Sequence, residues 1–194
     1  MELQALIQRQ KQIRVIGFDD APFERHQQHK VNIAGVVCAN TRFEGMVWGA
    51  VDVDGDDATE AICRLLIGKK FLPQLHLVLL DGIGFGGFNL VNLSLLAQRL
   101  SLPCVAMMRK LPNIAKMTAA MSRLPSYQQR LTILQQAGEI HTYPPFVFQV
   151  QGEQPEIIAQ ALCQLTDRGK VPEALRIAHL VGSAVLKGES GSQA

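Results

Sequence analysis

Residues 75–80, LHLVLL, hold five apolar residues in six, the pattern of a strand buried on both faces, as in a parallel sheet covered by helices. Residues 13–18, IRVIGF, have the same character. Residues 31–39 and 43–53 are two strand-like runs joined by Asn40-Thr41-Arg42, which predicts a hairpin. In the second run Val47, Gly49, Val51 and Val53 share one face, while Trp48, Ala50, Asp52 and Asp54 share the other. A short strand is predicted over residues 103–108. Residues 142–150, interrupted by Pro144-Pro145, read as one edge strand after a rigid bend. Helical spacing fills the intervals: Ala58, Ile62, Leu65 and Leu66 over residues 58–68; Leu90, Leu93, Ala97 and Leu100 over residues 89–100; Ile158, Ala161, Leu162 and Leu165 over residues 155–165. The last helix, over residues 172–186, turns Leu175, Ala178, Gly182 and Val185 inward, with His179 on the same stripe. Two shorter helices are expected over residues 114–122 and 126–137, with Lys116, Arg123 and Arg130 on polar faces, and Leu3, Leu6 and Ile7 suggest a short leading helix. Strands interleaved with helices predict an α/β domain.

Composition narrows the class. The chain has 194 residues, 47% of them apolar, which suits one domain with a substantial core. No repeat or low-complexity linker divides it, so residues 1–190 read as a single domain and residues 187–194, KGESGSQA, as a tail that frays. A formal charge of +2 does not demand nucleic acid, though it leaves room for a local basic rim. Cys38, Cys63, Cys104 and Cys163 lack CxxC spacing and sit among apolar residues, as buried thiols in a reducing compartment do. The N-terminus is too polar for a signal sequence, and no apolar run approaches the ~20 residues that span a bilayer. A cytoplasmic protein without a membrane partner is expected.

The candidate chemistry lies at strand ends. The run at residues 75–80 is followed by Asp81 and then by Gly82, Gly84, Gly86 and Gly87. Such a loop turns sharply and lets backbone approach a ligand, and open α/β sheets build their sites beyond the carboxyl ends of strands. The first strand likewise ends in Asp19 and Asp20. Each carboxylate is read either as a metal or substrate ligand or as a turn residue. The acid-rich segment DVDGDDATE adds Asp54 and Asp57. Counted from Asp52 its glycine falls at position 4 rather than 6, which rules out an EF-hand loop. Asp57, with Glu60 three residues on, resembles a helix cap, whereas Asp54 at the strand end remains a candidate acid. GIGFGG at residues 82–87 formally fits GxGxxG, but Met107, Met108 and Arg109 stand where a ribose-binding acid belongs. A Walker loop and a GxSxG elbow are both missing. Asp19, Asp54 and Asp81 could instead converge on one or two hard cations, which activate water and steady the oxygens of a phosphodiester. Arg109 and Lys110, also at a strand end, would meet a phosphate. His179 is either a satisfied core histidine or a ligand. His26 and His29 read as solvent-facing, because nothing completes a metal pattern with them.

The pieces GFDDAPF (17–23), VDVDGDDAT (51–59), LLDGIGFGGFNLVNL (79–93), CVAMMRKLPN (104–113) and EALRIAHLVGSAVLKGES (173–190) resemble, in order and over nearly the whole chain, the domain of unknown function 99 family. That family is similar to endonuclease V. The resemblance implies an RNase H-like fold with a mixed five-stranded sheet flanked by helices, and magnesium-dependent cutting of nucleic acid near deaminated adenine, with manganese as a second metal. Residue by residue, it implies that Asp19 and Asp81 bind metal and that His179, in EALRIAH, lies near it. The resemblance also implies that Lys110 stands in for a lysine that follows the next strand. Gly82, Gly84, Asn89, Arg109 and Lys110 are the candidate substrate contacts. The chain departs from endonuclease V in two ways. It lacks the metal-binding glutamate carried by a proline- and aromatic-rich wedge, for which Asp54 or Asp57 is the candidate substitute. Its glycine loop also continues into Phe85, Phe88 and Asn89 rather than histidines. A nuclease or related phosphodiester hydrolase acting on DNA, RNA or a nucleotide is the expected function. The alternative is a non-catalytic nucleic-acid-binding or partner-binding protein on the same scaffold.

Overall fold

The computed structural model describes residues 2–25 and 27–191; His26 and the last three positions of the tail lie outside the described residues. The elements run α1 (Leu3–Gln8), β1 (Arg14–Asp20), β2 (Lys30–Ala39), β3 (Arg42–Asp52), α2 (Ala58–Leu66), β4 (Leu77–Asp81), β5 (Gly84–Phe85), β6 (Asn89–Leu90), α3 (Leu93–Leu100), β7 (Cys104–Met108), α4 (Ile114–Met121), α5 (Tyr127–Gln136), β8 (His141–Tyr143), β9 (Phe146–Gln151), α6 (Pro155–Leu165) and α7 (Glu173–Lys187). Strands β5 and β6 form a small hairpin of their own; the rest make one sheet in the order β3-β2-β1-β4-β7-β9-β8. At its centre β1, β4 and β7 are parallel, and the outer neighbours are antiparallel.

Side-chain alternation divides the core into two layers. Ile16, Phe18, Val78 and Leu80 face α2 and α3, while Val15, Leu77, Leu79 and Val105 face α1, α6 and α7. Helix α7 lies so close to β1 that a Cβ on Gly17 would come within 2.8 Å of the Ala174 and Leu175 backbone. Two turns further on, Gly182 admits the backbone of Ala21, whose Cα would lie 3.1 Å from an added Cβ. Two residues without side chains therefore let the helix seat itself against the end of the first strand.

The sheet has seven strands, which corrects the expected five. The periodicity already supplies six strand-like runs, one more than five, and the seventh strand arises because residues 142–150, expected to be one edge strand, form two. The proline pair sits at the turn of a hairpin, where proline's missing N–H costs no ladder bond. Strand β9 pairs with β7 on one side and β8 on the other, so β8 takes the edge. Four local expectations also change. Asn89 and Leu90 pair with the glycine loop, and α3 starts only after Asn92, whose side chain accepts from Leu95 N at 3.0 Å. Val185 faces outward, and Cys163 is exposed whereas the other three cysteines are buried. Arg130 does not decorate a polar face; it is buried. Among the described residues, no helix is long and apolar enough to cross a membrane.

Candidate active site

Strand register explains why two carboxylates meet. Val15 to Phe18 on β1 lie beside Leu77 to Leu80 on β4 in a parallel pair, so Asp19 and Asp81 come next on both strands, on the same side. That side is the one covered by α7, because Val15, Leu77 and Leu79 all pack in the α7 layer. Gly17 meets Leu175 of α7; two residues along the strand stands Asp19, and one turn along the helix stands His179. A two-residue strand step and one helical turn cover similar distances, and His179 Nδ1 lies 2.9 Å from Asp19 Oδ2. Asp20 points the opposite way, where its carboxylate accepts the Gly86 N–H at 2.6 Å. Neighbouring acids of one strand thus serve two different surfaces.

Asp19, Asp81 and His179 each offer a ligand atom within 4.8 Å of the others. They open into a cleft of about 580 Å³ that also includes Asp20, Pro22, Phe23, Gly82, Met108 and Arg109. Asp19 is only 5% exposed. Its burial, reinforced by the negative charges of Asp81 and Asp20, pushes its pKa up to about 8. Burial also raises Asp20, against the opposing hydrogen bond from Gly86. Arg109 Nη2 reaches Asp81 Oδ2 at 3.3 Å from the end of β7. Asp19 and Asp81, with Asp20 close by, thus face one guanidinium and one imidazole, an excess of negative charge that a divalent cation would relieve. Two carboxylate oxygens and one imidazole nitrogen form a donor set that accepts such an ion.

The other predicted residues are distributed differently. Asp54 accepts Arg25 Nη2 at 2.7 Å and Phe88 N at 2.8 Å, and Arg25 also lies over the Phe88 ring, 5.1 Å from its centre. Asp57 accepts Asp52 N at 3.0 Å and Asn89 Nδ2 at 2.6 Å. Neither joins the carboxylate–histidine group. Asp57 occupies the N-cap position of α2 without capping through its side chain; Asn89 Oδ1, from across the loop, accepts Ala58 N at 2.9 Å instead. Asn89 is fully buried in this knot. Gly82 lines the acidic cleft, and both Gly82 and Gly84 line a neighbouring, more apolar cleft of about 840 Å³ with Phe88, Met108, Met117, Leu131 and Leu134. Lys110 is exposed outside the acidic cleft. Lys170, which the sequence reading passed over, donates to Arg109 O at 3.2 Å and sits behind that arginine. Arg130 was also missed as a site neighbour, because its helical stripe is weak and nothing in its spacing distinguishes it from a solvated arginine.

A central parallel strand pair ending in two in-register carboxylates, with a histidine helix closing over them, sets this chain among α/β proteins related to endonuclease V and the RNase H-like fold. The chain belongs to the Endonuclease dU family, which residues 11–186 match. A UPF0215 protein of Methanothermobacter thermautotrophicus is 36% identical over 199 residues, covering all of this chain and 98% of that protein. A protein of unknown function from Archaeoglobus fulgidus superposes with a TM-score of 0.84 at 33% identity, over 89% of this chain and 98% of the other. Endonuclease V of Ciona intestinalis, solved with a DNA containing an inosine followed by a ribo-adenosine, superposes with a TM-score of 0.59 over 96% of this chain and 95% of its own. At 17% identity that last likeness is one of fold.

Proposed function

We propose that this protein is a nuclease that uses magnesium or manganese to cut a phosphodiester near a deaminated base in nucleic acid. The observation that carries this reading is the meeting of Asp19, Asp81 and His179 in one open, acid-rich cleft. Asp19, Asp81 and His179 would hold the cation, which would supply water activation and neutralise charge on the phosphodiester. With Asp19 as the carboxylate, His179 Nδ1–H donates to it, which fixes the ring and leaves Nε2 with its lone pair. Arg109 neutralises Asp81 and stands at the rim, from which its planar fork can turn to a phosphate. Lys170, which donates to Arg109 O, and the exposed Lys110 add positive charge beside Arg109. The neighbouring apolar cleft, walled by the glycine loop and by α4 and α5, has the size and lining for a planar base. Membership of a family called Endonuclease dU makes deoxyuridine the first lesion to test, and the fold shared with endonuclease V makes deoxyinosine the second.

The test is cleavage of end-labelled single- and double-stranded oligonucleotides, DNA and RNA, each with one deaminated base or none, in magnesium or manganese. Metal-dependent cutting near the lesion that disappears with Asp81→Asn is the expected result. Folded protein that cuts none of them, but binds them equally well without metal, would replace the nuclease by a binding protein.

A further inference from the structure

Arg130, on α5, is 5% exposed, and its partners are four backbone carbonyls. Its Nη1 donates to Gly55 O at 2.8 Å and Phe88 O at 2.5 Å, its Nη2 to Asp54 O at 2.7 Å, and its Nε to Pro125 O at 3.2 Å. These carbonyls come from three separate segments: the acidic turn after β3, the end of the glycine loop, and the connection before α5. A buried charge held only by carbonyls is a weak way to gain stability, since apolar residues of similar volume often do as well. Its distinctive property is geometric. One planar fork of five N–H donors can fix several chain segments at once, and an ammonium group on a single stem cannot.

The glycine loop needs such a fixture. Gly86 and Gly87 sit at φ +55° and +95°, and neither has a side chain with which to anchor the loop. The loop is held from outside at four points: Asp20 accepts Gly86 N–H, Asp54 N–H donates to Gly86 C=O, the Asp54 carboxylate accepts Phe88 N–H, and Arg130 donates to Phe88 C=O. The same loop, through Gly84, Gly87 and Phe88, is one wall of the apolar cleft, and α5, which carries Arg130, supplies Leu131 and Leu134 to the opposite wall. Arg130 therefore bridges the two walls from behind.

We propose that Arg130 is a positioning residue that sets the spacing between the glycine loop and α5, and so governs how the apolar cleft receives its occupant while leaving the metal ligands unaffected. This rests on the proposed function for its kinetic readout and its manganese control, while the exchange measurement stands apart from it. Amide exchange of residues 86–89, and manganese affinity followed by electron paramagnetic resonance, are measured on the free protein for Arg130→Lys and Arg130→Gln. Exchange in that loop is expected to accelerate at least about tenfold beyond any global change, with manganese affinity within about twofold of wild type. With a cleaved oligonucleotide, KM should rise about tenfold or more while kcat changes little, and Arg130→Lys should not rescue. Uniformly faster exchange across the chain, or manganese affinity lost in parallel, would reduce Arg130 to a general stabilising residue and overturn the proposal. Absence of cleavage by wild-type protein would count against the nuclease reading alone, because the exchange and metal measurements still decide this one. Should both variants fail to fold, Asp54→Asn, which loosens the same loop at Phe88 N, is expected to speed exchange at residues 86–89 in the same direction; unchanged exchange there would likewise overturn it.

Discussion

The chain contains two clusters of acids that look alike in the sequence and differ in what surrounds them. Asp52 ends β3 and Asp54 and Asp57 follow it, and each has one carboxylate oxygen engaged: by Lys30 on Asp52, by Arg25 and Phe88 N on Asp54, by Asn89 and Asp52 N on Asp57. Asp19, Asp20 and Asp81 end the central strands, and among the described residues their side-chain and loop partners are Arg109, His179 and the Gly86 amide. The first cluster uses its charge to fold a loop, whereas the second keeps charge unbalanced in an open cleft. Local acid density alone therefore does not single out a candidate metal site; acids short of cationic partners in an open cleft do.

The sharpest way to break this comparison is to remove one carboxylate from each cluster. Asp81→Asn should lower metal-dependent cleavage by about a thousandfold or more while the protein melts near the wild-type temperature. Asp57→Asn should leave single-turnover cleavage within about threefold. Equal losses in the two variants would erase the distinction. A smaller effect, on stability instead of chemistry, is expected from Asn89→Ala. It strips Ala58 N, Asp52 O and Asp57 of a buried partner and should lower the free energy of urea unfolding by about 2–4 kcal/mol.

The third test is pH. Asp19 is raised in the folded protein to about 8 from an ordinary value of 3.8. Between those values the folded state holds a proton that the unfolded state has released, so stability is fully present below pH 4 and is lost as pH climbs toward 8. Metal-free wild type should therefore melt progressively lower from pH 5 to pH 8.5, by an amount on the order of 4 kcal/mol in stability. Asp19→Asn, which stays neutral, should be flatter across that window, and manganese should restore wild type most at the alkaline end. Parallel melting curves for the two proteins would mean that Asp19 is not the buried acid described. The smallest effect belongs to Arg25→Ala. Its contact with Asp54 is largely exposed, and chemical unfolding should register about 1 kcal/mol or less.

Much of this arrangement was legible before any coordinates. The apolar strands, their terminal Asp19 and Asp81, the α/β class and the last helix with His179 on its inner stripe all follow from periodicity and position, because each depends on neighbours within a few residues. The extended pairing of the sheet was less accessible. Residues 142–150 carry strand-like composition throughout, and only the pairing of β9 with β7 on one side and β8 on the other decides that they are two strands and that the sheet has seven. Asp54 was indistinguishable from Asp81 as a strand-end acid. The difference lies in Arg25 and Phe88, 29 and 34 residues away, and no local pattern encodes that meeting. Arg130 was hidden for the same reason, since the carbonyls that bury it belong to residues 75, 76 and 42 positions earlier, apart from the nearby Pro125.

The sequence by itself determined which residues could be buried, where strands and helices would form, and which carboxylates would stand at strand ends, since these follow from short-range sterics and the aversion of apolar side chains to water. Only the tertiary structure decided which acids would be neutralised and which left open. A carboxylate's chemistry depends on the charges and donors within a few ångströms, and here the parallel register of β1 with β4 and the close seating of α7 on Gly17 bring those groups together from opposite ends of the chain.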